Sequence, residues 1–267
     1  MNRGYRTVWN AALGACVAVA ENVRAPRGGT SGSARAIGAS AALAVASLAS
    51  SGSAHAAAFT ASDEATLIAA ISAANASPDP SSTITLTTGF QVSSVLPAIQ
   101  GNVSVINNGF PLTIRAPGGA TLDLQGGATY GLGGTSGNLS LANIAGTTGT
   151  LIVQGNGTTA RVIAITGTGG QANVRVLDGG AFSTSMSATL GTSSVIVSGA
   201  NSAFNIGVTY TQQGTLEVSS GGTLEARAAA NLGSTGSFTG VVRGAGSKLA
   251  STLDAINLGA SGSASLA

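Results

Sequence analysis

The side chains that could do covalent or metal chemistry are few and stand in one part of the chain. Its one cysteine, Cys16, and its one histidine, His55, both lie before Ala57. A serine or cysteine nucleophile is normally activated by a neighbouring base such as histidine, and transition-metal sites use histidine and cysteine. From residue 57 onward neither device can be assembled, so the sequence predicts no catalytic residue, no cofactor and no metal site.

Carboxylates are the remaining candidates, because paired carboxylates can support polysaccharide cleavage or calcium binding. Glu217 and Glu225 bracket a turn and form the one conceivable pair. Asp178 precedes two glycines, a pattern typical of a turn in which aspartate tolerates positive φ. Solvated surface charge is the favoured interpretation, and we expect that the protein is not an enzyme. The acids after residue 56 are Asp63, Glu64, Asp79, Asp123, Asp178, Glu217, Glu225 and Asp254.

Nucleotides and nucleic acids are poor candidates for ligands. Gly155-Asn156-Gly157 and Gly244-Ala245-Gly246 have closely spaced glycines, but a phosphate-binding loop needs a helix directly after it, and strand-like residues follow here. The sequence pI of about 9.1 arises from five arginines between Arg3 and Arg35. After residue 56 the sequence contains six basic and eight acidic residues. A nucleic-acid interface needs a clustered basic face, so we expect no nucleic-acid partner.

The elements that must position any site are strands. Charged residues make up 7% of the chain and hydrophobic residues 43%, a balance that argues against intrinsic disorder. The 40 glycines have no three-residue period, which excludes collagen. Short runs of β-branched residues between glycine-rich turns are typical of an all-β chain.

The N-terminal part has the pattern of an export signal. Residues 36–49, AIGASAALAVASLA, form an apolar run that is too short to span a bilayer, which takes about 20 residues. It fits the apolar core of a signal peptide, and the small residues of Ala54-His55-Ala56 follow it. The sequence predicts cleavage between Ala56 and Ala57, with cleavage between residues 58 and 59 as the second choice.

An ordinary signal peptide is 15–30 residues long, so the residues before this run need another explanation. About 25 residues at the N-terminus resemble the extended signal peptide region of Gram-negative type V secreted proteins. Gly4, Cys16, Ala20 and Pro26 depart from the usual residues but keep the spacing. The resemblance implies that this extension modulates inner-membrane targeting to the Sec export machinery and is removed with the signal peptide. It rests chiefly on Asn2, Arg3, Tyr5, Arg6, Val8, Trp9, Asn10, Gly14, Val17, Ala18, Val19 and Glu21.

One helix is predicted in residues 60–76, with Thr60, Ser62 and Asp63 as alternative N-cap residues. Leu67, Ile68, Ile71 and Ala74 recur at helical spacing, and the segment SPDPSS at 77–82 ends the helix. From Ile84 onward the apolar period changes to two, as in strands.

Repeats of a strand followed by glycine then appear. They start at Leu151, Val174, Val195, Leu216 and Val241, so that successive starts are roughly 22 residues apart. Two kinds alternate: segments 195–204 and 241–250 are alike, as are 173–182 and 215–226. A unit of about 22 residues suits one coil of a parallel β-helix whose coils stack about 4.8 Å apart. The sequence therefore predicts an all-β, right-handed parallel β-helix with a short N-terminal capping helix, preceded by a cleavable leader; a β-sandwich is the alternative.

These features divide the chain into four expected parts. Residues 1–29 are the extended signal peptide region and 30–56 the signal peptide core with its cleavage site. Residues 57–82 are the N-terminal helical cap, and 83–267 are β-helical passenger repeats.

The repeats over 140–250 resemble passengers of monomeric autotransporters. The resemblance implies an exported protein at the cell surface, outer membrane or extracellular space, an adhesin or surface stalk with a host-cell or bacterial surface ligand. It also implies an outer-membrane β-barrel, either as a C-terminal domain encoded downstream of Ala267 or as a separate partner. The alternatives are a two-partner secretion exoprotein, which usually carries an NPNG-type motif not found here, and a β-helical polysaccharide-degrading enzyme.

Overall fold

A computed structural model describes residues 5–10, 15–20, 56–132 and 135–267, the first two ranges by their backbone alone. The chain divides into two compact units, Met1–Ser51 and Gly52–Ala267. In the first unit, β1 (Tyr5–Asn10) and β2 (Ala15–Ala20) pair in antiparallel fashion. The apolar run predicted at 36–49 lies outside the described residues.

The second unit is a parallel β-solenoid of about nine turns with one short helix. This confirms the predicted parallel β-helix; its right-handed coiling stays a prediction. The elements are β3 (Ala57–Ala61), α1 (Glu64–Ala76), β4 (Ser82–Leu86), β5 (Phe90–Val92), β6 (Val103–Ile106), β7 (Leu112–Ile114), β8 (Ala120–Gln125), β9 (Thr129–Tyr130), β10 (Leu139–Leu141), β11 (Thr148–Gln154), β12 (Thr159–Val162), β13 (Ile165–Gly167), β14 (Gln171–Leu177), β15 (Ala181–Thr184), β16 (Ala188–Ser198), β17 (Ala203–Ile206), β18 (Tyr210–Ser219), β19 (Thr223–Ala226), β20 (Ala230–Leu232), β21 (Ser237–Arg243), β22 (Lys248–Ser251), β23 (Ile256–Leu258) and β24 (Ser263–Leu266).

Each coil contributes to three faces. The first face is the nine-stranded sheet β3-β4-β6-β9-β12-β15-β17-β19-β22. The second face runs β5-β7-β10-β13, then through the first residues of β16 and β18 to β20 and β23. The third face runs β8-β11-β14, then through the later residues of β16 and β18 to β21 and β24.

Inward side chains of successive coils stack into a continuous apolar core. On the third face, Leu122, Leu151, Val174, Val195 and Leu216 occupy one register position and are at most 2% exposed. Burying an aliphatic side chain of this size contributes about 1.5–3 kcal/mol. Stacking therefore stabilises coils that could not bury their inner faces alone.

The last predicted repeat is out of register by one residue. Leu216 lies opposite Gly240, and Val241 lies opposite Glu217 and faces outward. A Cβ on Gly240 would lie 2.8 Å from ring atoms of Phe238, whose side chain is 2% exposed. The ring of Phe238 thus fills the inward space at this coil, and no aliphatic residue is needed at position 240.

The helix α1 begins directly after Asp63, one of the three predicted N-cap residues, and later than Thr60 or Ser62 would place it. Residues 57–61 form β3, which pairs along its whole length with β4, so residues 60 and 61 are extended. Asp63 then caps the helix, accepting from the Thr66 N–H at 2.8 Å while its own N–H donates to Thr66 Oγ1 at 3.1 Å. The buried face of α1, which contacts β3, β4 and β5, consists of Leu67, Ala70, Ile71 and Ala74.

Two kinds of corner alternate where the chain passes from the third face to the first. In one kind, a glycine with positive φ turns its N–H toward the following coil; these glycines are Gly127, Gly179 and Gly221. In the other kind, a hydroxyl accepts that N–H at 2.9, 3.0 or 3.1 Å and donates to the carbonyl four residues earlier. These hydroxyls belong to Thr158, Ser202 and Ser247. Because the glycine N–H of one corner needs the hydroxyl of the next corner, two kinds of repeat alternate in the sequence.

Candidate functional site

The outward side chains of the solenoid form straight columns, since residues in register project from neighbouring strands. On the second face one column is uncharged throughout. In it, Ser140 and Thr166 hydroxyls are 3.2 Å apart, and the Asn257 amide donates to Asn231 Oδ1 at 2.8 Å. The column consists of Gln91, Thr113, Ser140, Thr166, Thr189, Thr211, Asn231 and Asn257.

The first face also presents small hydroxyl residues. The Thr129 hydroxyl donates to the Ser104 hydroxyl at 2.9 Å. Further along the same column lie Ala181 and Ala203, and then Lys248. Hydroxyl and amide groups at regular spacing can bind polar surfaces through direct or water-mediated hydrogen bonds.

The third face differs, because its middle column mixes charged and aliphatic side chains. We call this set the charged column. A surface cavity of about 330 Å³ lies beside its members Ile196, Glu217 and Val241. The charged column consists, in coil order, of Asp123, Ile152, Arg175, Ile196, Glu217 and Val241.

Sequence reasoning did not single out the charged column, although the repeat alignment contains most of it. Ile152, Arg175, Ile196 and Glu217 each follow the first residue of their repeat. Alternation along a strand places those positions outward. The one-residue shift at Val241 could not be foreseen, since it depends on the Phe238 ring in the core.

The structure separates the two acids that formed the conceivable carboxylate pair. Glu217 lies on the third face and pairs with Arg243 at 2.8 Å, whereas Glu225 lies on the first face and pairs with Lys248 at 3.0 Å. The hydrogen bond from Arg243 lowers the pKa of Glu217. Each acid therefore pairs with a basic residue of the next coil, and the two acids do not pair with each other.

The other acids also contact their own chain. Asp178 has φ of 52° in its turn, as the sequence indicates, and accepts from the Gln154 amide at 2.9 Å. Partial burial raises the pKa of Asp123, against the effect of its hydrogen bond from Gln125. Asp79 accepts from the Ser77 hydroxyl, and Asp254 from the Ala255 N–H. Within the described ranges, no three histidine, cysteine or acidic residues cluster as metal ligands would.

Two buried tyrosines belong to the core. Burial raises the pKa of Tyr130 to about 12, and burial also raises the pKa of Tyr210 well above its ordinary value. The Tyr210 hydroxyl donates to the Gln212 side chain, which in turn donates to the Thr215 carbonyl at 2.7 Å. Phe182 and Phe204 stack with ring centroids 4.8 Å apart. These rings are inside the solenoid, where they stabilise it.

The predicted export residues lie at and before the start of the second unit. Ala56 is exposed, and Ala57 opens β3. Residues 5, 6 and 8–10 of the predicted leader motif lie in β1, and residues 17–19 lie in β2. Asn2, Arg3, Gly14 and Glu21 fall outside the described residues.

In the parts of the chain that the structure describes, no helix combines the length and apolarity needed to cross a bilayer.

Comparison with known proteins identifies the leader. Residues 1–51 match the family described as Extended Signal Peptide of Type V secretion system. No curated protein and no solved structure matches the chain.

The leader and the solenoid together indicate the class of protein. The chain carries an extended signal peptide of type V secretion, followed by a parallel β-solenoid consistent with an autotransporter passenger. This combination supports a type V secreted protein with a β-helical passenger. The leader indicates Sec-dependent export across the inner membrane to the cell surface or extracellular space, by a system that involves an outer-membrane β-barrel.

Proposed function

We propose that the chain is a surface-displayed autotransporter passenger that acts as an adhesin or surface stalk and not as an enzyme. The observation that carries the proposal is the joining of a type V leader to a stacked solenoid. The solenoid exposes regular columns of hydroxyl and amide groups, which suit contact with another surface over many coils. Its acids are engaged with their own neighbours, which supports a non-enzymatic role.

The domain boundaries belong to this proposal. Residues 1–29 and 30–56 act during export, 57–82 include the capping helix, and 83–267 form the displayed repeats. The outer-membrane barrel is supplied by further coding sequence or by a separate partner, and the ligand lies on host or bacterial cells. Reading the genomic sequence downstream of codon 267 tests the first route, because an autotransporter barrel shows about a dozen alternating strands.

Display and adhesion are tested in the Gram-negative cell that carries the gene and in an isogenic deletion strain. We expect antibodies against residues 57–267 to label intact wild-type cells, and deletion to lower the number of adherent cells severalfold. Complementation with the intact gene should restore adherence. Labelling only after the outer membrane is permeabilised would contradict surface display.

Normal adherence of the deletion strain would contradict the adhesive role. The enzymatic alternative needs its own measurement: purified exported chain is incubated with neutral and acidic polysaccharides, and new reducing ends are counted. We expect none above the level of buffer alone, and reproducible release would replace the adhesin with a polysaccharide-degrading enzyme.

A further inference from the structure

The charged column is complementary to itself when it is read in both directions from Ile196. One coil to either side stand Arg175 and Glu217, and two coils to either side stand Ile152 and Val241. Neighbouring coils are about 4.8 Å apart, so the opposite charges sit at equal distances from the centre.

We propose that the third face binds a second copy of this chain in antiparallel orientation. The twofold axis lies along the strand direction at Ile196. Rotation about this axis places Arg175 opposite Glu217 of the second copy, Ile152 opposite Val241, and Ile196 opposite itself. The ion pair between Arg175 and Glu217 forms twice because the interface is isologous.

The outward side chains on either side of the charged column are compatible with this arrangement. In the first flanking column, Asn173 lies opposite Thr215 of the second copy and Thr150 lies opposite Thr239. Ser194 lies opposite Ser194 of the second copy. The second flanking column brings Gln154 opposite Arg243. In these columns no like charges lie directly opposite each other between the coils of Ile152 and Val241, and Glu217 is shared between Arg243 and Arg175 of the second copy.

Both charges are accessible to a partner. Arg175 is exposed and stands between two isoleucines, with no ion pair among the described residues. Glu217 shares a pair with Arg243, whose side chain is 69% exposed. Exposed pairs of this kind contribute little in water, so Glu217 can take a second cation. The surface cavity beside Ile196 and Val241 gives the aliphatic side chains of the second copy a place to pack.

The area of the proposed interface limits how tightly two copies associate. Strands of about six residues over five coils cover roughly 20 Å by 25 Å, which is less than the about 800 Å² per partner of a standard stable interface. We therefore expect weak, reversible dimers in solution. Many copies held on one surface would bind far more tightly through multivalency.

Sedimentation velocity of the purified exported chain over a range of concentrations tests the proposal. We expect concentration-dependent dimers that weaken as salt is raised. Arg175→Glu and Glu217→Arg should each raise the dissociation constant at least about tenfold, because each places like charges opposite one another twice. Mixing the two variants in equal amounts should restore a dimer, because both contacts then join opposite charges.

Two matched variants serve as controls. Arg227→Glu reverses an exposed charge away from the third face and should leave the dimer unchanged. Asp123→Asn should also leave it unchanged; a loss there would move the axis to Ile152 and overturn the proposed register. Circular dichroism of every variant must show the same strand content and melting temperature.

A monomeric wild-type chain, or dimers that persist equally in both charge variants, would overturn the proposal. Failure to restore the dimer on mixing would do the same. This partner rests on the proposed adhesive function for its biological setting only. A monomeric result would remove the second copy as a ligand and leave the adherence experiment, which uses other surfaces, unaffected.

Discussion

At the scale of single residues, the corner hydroxyls make contacts in two directions. Ser202 is fully buried, accepts the Gly179 N–H at 3.0 Å and donates to the Ser198 carbonyl at 2.7 Å. Its loss would leave the half-buried Gly179 N–H without an acceptor between two coils. An unsatisfied buried group costs about 1–3 kcal/mol.

We therefore expect Ser202→Ala to lower the free energy of unfolding by about 1–3 kcal/mol, measured by urea denaturation. Ser183→Ala is the matched control, since the Ser183 side chain projects outward from β15 and its hydroxyl makes no hydrogen bond among the described residues. Equal stability of both variants would show that the corner hydroxyl contributes nothing beyond filling space.

The sequence predicted the positions of some single residues and not of others. Leu151, Val174, Val195 and Leu216 could be placed in one stack, because their repeat spacing and alternation are local signals. Gly240 could not, since a glycine carries no signal that a ring two residues earlier will occupy its space. The acids Glu217 and Glu225 were close in sequence but fell on different faces of the coil.

At the scale of elements, one carboxylate binds the first turn of α1 to the coil that follows, while Asn75 binds the last turn to Ala98 and Gln100. Glu64 accepts from the Ser93 N–H at 3.0 Å, the Ser93 hydroxyl at 2.6 Å and the Ser94 hydroxyl at 2.5 Å. Partial burial acts to raise the pKa of Glu64, but these hydrogen bonds together outweigh it and hold the pKa below the ordinary value of 4.5.

A depressed folded pKa means that Glu64 stabilises the fold above the ordinary value, and that this contribution is lost as the pH falls through the folded value. We expect Glu64→Gln to lower the melting temperature at pH 7 by about 2 °C. The difference from the wild type should close by about pH 3. Thermal melting followed by circular dichroism measures both.

Asp254→Asn is the control for charge alone, because among the described residues the Asp254 carboxylate accepts a hydrogen bond only from its neighbour Ala255. A gap between wild type and Glu64→Gln that does not change with pH would contradict the role of the ionised carboxylate. The sequence could not select Asp63 over Thr60 and Ser62 as the N-cap, because β3 is decided by its pairing with β4, which follows only after the helix.

At the scale of the whole molecule, the predicted cleavage site lies in the sequence directly before β3. The Ala57 N–H donates to the Ser81 carbonyl at 3.2 Å, and β3 pairs with β4 from its first residue. Cleavage after residue 58 would remove two of the five residues of β3 and weaken the cover over the first coil.

We therefore expect intact-mass measurement of the exported chain to show an N-terminus at Ala57. Ala56→Leu should block processing, since the site requires a small residue there. His55→Leu changes the unrestricted middle position and should be processed normally. A mature chain that begins at Phe59 would show that strand pairing does not protect this end.

The whole-molecule features had the strongest sequence signals. The leader was recognisable from residues in register, and the coil period from glycines that recur with the strands. Coiling hand and domain boundaries leave no comparable signal in one sequence, because they depend on how distant segments pack.

The alternating corners have a consequence for how such a protein grows over evolution. Thr158, Ser202 and Ser247 recur at every second coil, with a glycine corner between each and the next, so the interlocked unit is two coils long. A tandem duplication or deletion of a single coil would set two glycine corners, or two hydroxyl corners, against each other and leave an N–H unpaired. The gene can therefore lengthen or shorten the solenoid without cost at the corners only in even numbers of coils.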